Sequence, residues 1–144
     1  HDLSLLVELA DTIAVMYAGR IVEHAGAQDL YQSPRHPYSV GLANSFPPLH
    51  GERRRLHGIP GSPPDLHNLP TGCAFHPRCP MADDHCREAE PALLPVPVIG
   101  PGWHHPRYAA CWRQLDPVVP PALARPEPDT TPGPRQNATD RSAR

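Results

Sequence analysis

Lysine is absent from all 144 residues, and each of the 13 basic side chains is an arginine. A phosphate-binding loop needs its lysine to reach the terminal phosphates of a nucleotide, so these residues contain no such loop. The other common catalytic signatures are missing too: there is no H-E-x-x-H, no G-x-S-x-G and no G-x-G-x-x-G. No apolar run approaches the ~18 residues that would span a bilayer, and no stretch reads as a signal peptide. The formal charge of −2 argues against a nucleic-acid footprint. The basic run Arg53-Arg54-Arg55 is too short to reverse that, and reads as a solvated loop. Aromatic residues stop at Trp112. Residues 116–144, rich in Pro, Ala, Arg, Asp and Thr, lack the apolar area to offset ordering and are expected to form a disordered tail. Within that tail Asn137-Ala138-Thr139 is a chance glycosylation match.

What is present is organised in two textures. Leu3, Leu6, Val7 and Ala10 follow a helical period, predicting a helix over 3–11 with a broad buried face, capped by Asp2 or Ser4. Ile13 to Tyr17 and Arg20 to Glu23 are strand-like and separated by Ala18-Gly19, which predicts a hairpin. Gln28 to Gln32 form a short helix stopped by Ser33-Pro34. Pro37 then opens another, carrying Tyr38, Val40, Leu42 and Ala43. From Phe46 onward, repeated prolines cut the chain into extended pieces, among them a short strand over 56–59 and a Pro-rich loop over 91–102. The acidic pairs Asp83-Asp84 and Glu88/Glu90 lie in polar sequence and read as solvated. No internal repeat is found.

The four cysteines carry the sharpest chemistry. Cys73, Cys79, Cys86 and Cys111 are spaced C-x5-C-x6-C-x24-C. Four thiolates can close a site for Zn²⁺ or a [4Fe–4S] cluster, and the lack of C-x2-C knuckles tilts the choice toward the cluster. His76, His85, His104 and His105 stand ready to complete a zinc site instead. Free thiols packed as small apolar residues are the third reading. Pro80, directly after a cysteine, keeps the chain extended.

Three stretches resemble one family. Ile13-Ala-Val-Met-Tyr-Ala-Gly-Arg-Ile-Val-Glu23, after His1-Asp2, is similar to the last part of ABC-transporter ATPases. His36-Pro37-Tyr38 and Gly72-Cys73-Ala-Phe75-His-Pro-Arg78-Cys79 resemble the C-terminal extension of oligopeptide/dipeptide importer ATPases. The resemblance covers roughly residues 1–112. It implies an α/β fold: an α+β end of the ATPase catalytic domain over 1–33, then a small Cys-rich, Pro-rich, irregular or β extension over 34–115. The phosphate loop, the signature and the catalytic acidic strand are then expected upstream of His1. His1 itself would be the switch histidine that meets the γ-phosphate of ATP.

The resemblance further implies ATP and Mg²⁺ as cofactors of the parent protein, and a second ATPase subunit and membrane permeases as its partners. It implies a cytoplasmic location on the inner face of the membrane. Some members bind an iron–sulfur cluster at the matching cysteines, which nominates Cys73, Cys79, Cys86 and Cys111 as ligands of a [4Fe–4S] cluster. This chain has Cys111-Trp112 where many relatives have Cys-His. The rival reading, from another class, is a free-standing Cys-rich metal-binding or interaction module.

Overall fold

A computed structural model describes residues 3–45, 58–97 and 105–113. His1, Arg53 to Arg55, His104 and the stretch 116–144 lie outside the described residues.

The helix α1 spans Leu3–Leu9, shorter than its periodicity predicts. Among the side chains of α1 from Leu5 onward, Val7 is buried, while Leu5, Leu6 and Leu9 are exposed. Leu6, expected on the buried face, is thus exposed. The hairpin is present and longer than predicted, with β1 over Thr12–Tyr17 and β2 over Arg20–Gly26. Ala18 and Gly19 both take positive φ, 51° and 77°, the combination that lets a two-residue turn follow the natural twist of the strands. β1 alternates strictly between exposed and buried positions. β2 does not.

In β2 the register slips by one residue: Val15 pairs with Glu23 but Met16 pairs with Ile21, leaving Val22 without a partner on β1. Such a bulge re-aims the neighbouring side chains. Val22 and Glu23 are buried in succession, and Glu23 is one of the few buried charges in the molecule.

Helices α2 (Ala27–Gln32) and α3 (Pro37–Asn44) follow as predicted from Gln28 and Pro37. Pro37 occupies the first turn of α3, and the Nδ1 of His36 accepts from the Tyr38 amide at 3.1 Å, capping it. After a 3₁₀ turn over His76–Arg78 come α4 (Asp84–Glu88), β3 (Leu94–Pro95) and β4 (Tyr108–Ala109). The described part of the expected 56–59 strand, Gly58-Ile59, is not in a strand, whereas the Pro-rich loop contributes β3.

All four strands join one antiparallel sheet in the order β1-β2-β4-β3. This combination of helices and sheet is α/β in the broad sense expected. Among the described residues no helix is long and apolar enough to cross a membrane.

The core lies where the hairpin, α3 and the first cysteine loop meet. Tyr17 packs edge-on against Tyr38 (centroids 4.7 Å apart) and against Phe75 (5.1 Å). Tyr38 and Phe75 close the triangle at 5.4 Å. Phe75, almost fully buried, thereby pins the segment between Cys73 and Cys79 to the hairpin.

Candidate metal centre

Three of the cysteines are set by local structure. Gly72 has φ +70°, and a Cβ there would sit 2.5 Å from the Cys86 carbonyl oxygen. Only glycine permits both the dihedral and this approach. The Cys73 amide consequently donates to the Cys86 carbonyl at 2.9 Å, with Thr71 Oγ1 donating to Arg87 O at 3.1 Å beside it. From Cys73 the chain coils tightly: the His76 amide donates to Cys73 O, Arg78 to Phe75 O and Cys79 to His76 O. Pro77 pre-sets the first turn of this 3₁₀ segment. Arg78 secures it by donating from Nε to Pro60 O at 2.7 Å and from its other nitrogens to Ile59 O, Gly61 O and the Tyr17 hydroxyl.

Cys86 sits in α4, where its amide donates to the Asp83 carboxylate at 3.0 Å. Asp83 is thus the N-cap of α4 and also pairs with Arg113 at 3.1 Å. Glu90 pairs with Arg20 at 2.9 Å. These two acids are more engaged than solvated acidic pairs would be, and Asp83 does specific work at a helix start.

Cys111 follows β4, which pairs with β2. The Ala110 amide donates to Val22 O at 2.8 Å, fixing the end of β4 on β2. Beyond it, Trp112 packs against His85 with centroids 4.2 Å apart and the rings tilted by 52°, and donates from Nε1 to Ala89 O.

All four cysteines line one small cavity with about 20 Å³ of room, together with His36, Phe75, His76, Met81 and Pro91 among others. All are free thiols. Burial pushes every one of them up; neighbouring cysteines add to it at Cys79, Cys86 and Cys111, and Glu90 adds to it at Cys73, with Cys79 and Cys111 each reaching about 11. Cys79 senses Cys73 and Cys86, and Cys111 senses the other three, so the thiols form a single electrostatic group. They are protonated at neutral pH, and any metal they take must displace protons.

Among the described residues no group of three or more His, Cys, Asp or Glu side chains stands in a position to hold a metal ion. Of the histidines weighed as zinc ligands, His76 lines the cavity but its Nδ1 lies 3.0 Å from Cys73 O. His85 packs against Trp112 with the rings tilted by 52°, and the His105 ring lies against Gly26.

Residues 22–86 match the family described as "Oligopeptide/dipeptide transporter, C-terminal region". The match takes in 65 of the 144 residues. The matched region begins inside β2 and ends at the third cysteine. Over 97 residues the chain is 54% identical to the oligopeptide transport ATP-binding protein OppD of Mycobacterium tuberculosis, covering 67% of this chain and 16% of that protein. It is 40% identical over 119 residues to the OppD of Salmonella typhimurium (83% of this chain, 33% of that protein). It is 45% identical over 93 residues to the dipeptide transport ATP-binding protein DppD of Haemophilus influenzae (65% and 28%). The chain thus spans a third or less of the length of these relatives.

Residues that matter here and escaped sequence reasoning are Gly72 as a close-approach position, Asp83 as a cap, and the buried pair Glu23 and Arg107. The Asp83-x-x-Cys86 spacing carried a readable capping signal. Nothing local in the sequence marks Glu23 as buried.

Proposed function

We propose that this chain is part of the ATP-hydrolysing subunit of an ABC importer for oligopeptides or dipeptides. In this reading it works with a second ATPase subunit against two membrane permeases, peripherally on the inner face of the membrane. The relatives' names, all ATP-binding proteins of peptide transport, support it. These 144 residues have no lysine to serve a phosphate loop, so their part in ATP turnover is confined to His1, read as the switch histidine. Residues 1–33 are taken as the end of the catalytic domain and 34–115 as the transporter extension. Isothermal titration with MgATP is expected to find no micromolar site on this chain alone.

Within the extension, the reading is that Cys73, Cys79, Cys86 and Cys111 hold a [4Fe–4S] cluster with a stabilising role. One observation carries it: all four thiols line the same cavity. A single tetrahedral ion requires its ligands to meet at one point. In a cluster each thiolate binds a different iron, so its sulfurs stand farther apart. Such a cluster would cross-link the Gly72 turn, the 3₁₀ segment, α4 and the end of β4.

Anaerobic purification should give brown protein whose colour each single Cys→Ser change bleaches. Colourless protein with stoichiometric zinc would transfer the site to zinc. A folded, metal-free domain would remove both.

A further inference from the structure

We propose that the buried pair Glu23 and Arg107 is the positioning device for Cys111, holding the most remote of the four thiols at the cavity. The inference rests on the cluster reading above, but its geometry is independent of any bound group. Cys73, Cys79 and Cys86 lie within one compact, internally bonded stretch. Cys111 follows after 24 further residues, and its strand β4 is only two residues long. A two-residue strand contributes too few ladder bonds to hold a position alone.

The residue before β4 supplies the anchor. Arg107, 3% exposed, donates to the Ser33 carbonyl and lies 3.6 Å from the Glu23 carboxylate. Glu23, 1% exposed, stands opposite Ala109 in the β2–β4 register. The same carboxylate accepts from the Arg35 amide at 2.7 Å and the His36 amide at 2.8 Å. One buried anion therefore ties together the bulged strand β2, the turn before α3 and the segment that ends in Cys111. Removing one partner of such a pair leaves an uncompensated buried charge, so the anchor is of an all-or-none kind. Next to Cys111 the Ala110 amide also donates to Val22 O, Trp112 Nε1 donates to the Ala89 carbonyl and Arg113 pairs with Asp83 at 3.1 Å; the last two are exposed, and exposed pairs contribute little.

The test is alkylation of each cysteine by iodoacetamide, followed by mass spectrometry, on metal-free, reduced full chain. In Arg107→Met, Cys111 should label about tenfold faster while Cys86 keeps its wild-type rate. General loosening of the fold would accelerate all four together, which would overturn a specific positioning role. Arg113→Gln supplies a second measurement on a surface residue and does not depend on Arg107→Met folding. Cys111 should then stay within about twofold of wild type, and a tenfold rise would assign the positioning to the surface pair instead.

Cluster content, read by absorbance and electron paramagnetic resonance, separates the two claims. Wild type without a cluster defeats the cluster reading alone. A cluster-bearing wild type whose Arg107→Met variant matches it in spectrum and in Cys111 protection defeats this inference alone.

Discussion

The Cys73 amide donates to the Cys86 carbonyl across the left-handed turn at Gly72, and this bond brings two of the four thiols to one cavity. Twelve residues lie between them in the sequence. Their approach depends on the absence of a side chain at position 72.

Gly72→Ala should therefore be severe. Its Cβ would lie 2.5 Å from Cys86 O and 2.7 Å from the Arg87 carbonyl carbon, both backbone atoms that cannot swing away. The positive φ adds strain of its own, and together a loss of roughly 2–4 kcal/mol is expected. Urea denaturation measures it, and a change below about 0.5 kcal/mol would show that the turn rearranges freely.

Arg78 is expected to act through its shape as much as its charge. Its guanidinium reaches three backbone carbonyls at Ile59, Pro60 and Gly61. A lysine ammonium cannot reproduce that fork, so Arg78→Lys should lose nearly as much stability as Arg78→Ala, about 1–3 kcal/mol. Full rescue by lysine would refute the clamp.

Acid sensitivity should centre on His36. Burial lowers its imidazole from 6.5 to about 4, and its Nδ1 must stay unprotonated to accept from Tyr38 N. A depressed histidine contributes stability above its unfolded value, and loses it as pH falls from about 6.5 toward 4. That loss amounts to roughly 3 kcal/mol over the window. Burial raises Glu23, which works in the opposite direction as pH falls. His36→Asn, which keeps an acceptor but not the ionisation, should flatten the dependence in metal-free protein. An unchanged slope between pH 7 and pH 4.5 would assign it elsewhere.

Ala18 offers a stabilising change. At φ 51° it occupies the left-handed region that disfavours a Cβ. Ala18→Asn, better suited to that turn position, should raise stability by up to about 1 kcal/mol, visible as a higher melting temperature. A lower one would mean that the turn is not strained.

Local chemistry made much of this protein legible before any coordinates. The lack of lysine excludes a phosphate loop whatever the fold. The β-branched and aromatic run Ile13 to Tyr17, the Ala18-Gly19 link and Pro37 as a helix opener each depend on neighbours within a few residues, and each lies near where it was expected. The cysteine spacing and the Gly72 to Cys79 block likewise signalled a shared site and its family.

Tertiary structure decided the rest, because the deciding contacts join residues far apart in sequence. Whether Leu6 is covered depends on what lies against α1, which helical periodicity does not encode. Glu23 reads as the polar end of a strand until the bulge at Val22 and the arrival of Arg107 make it a buried anion. Cys111 is one more cysteine until β4 pairs with β2 and carries it to the other three. The physical reason is common to all three: hydrogen-bonding propensity is a property of a short segment, but burial and charge pairing belong to the assembled fold.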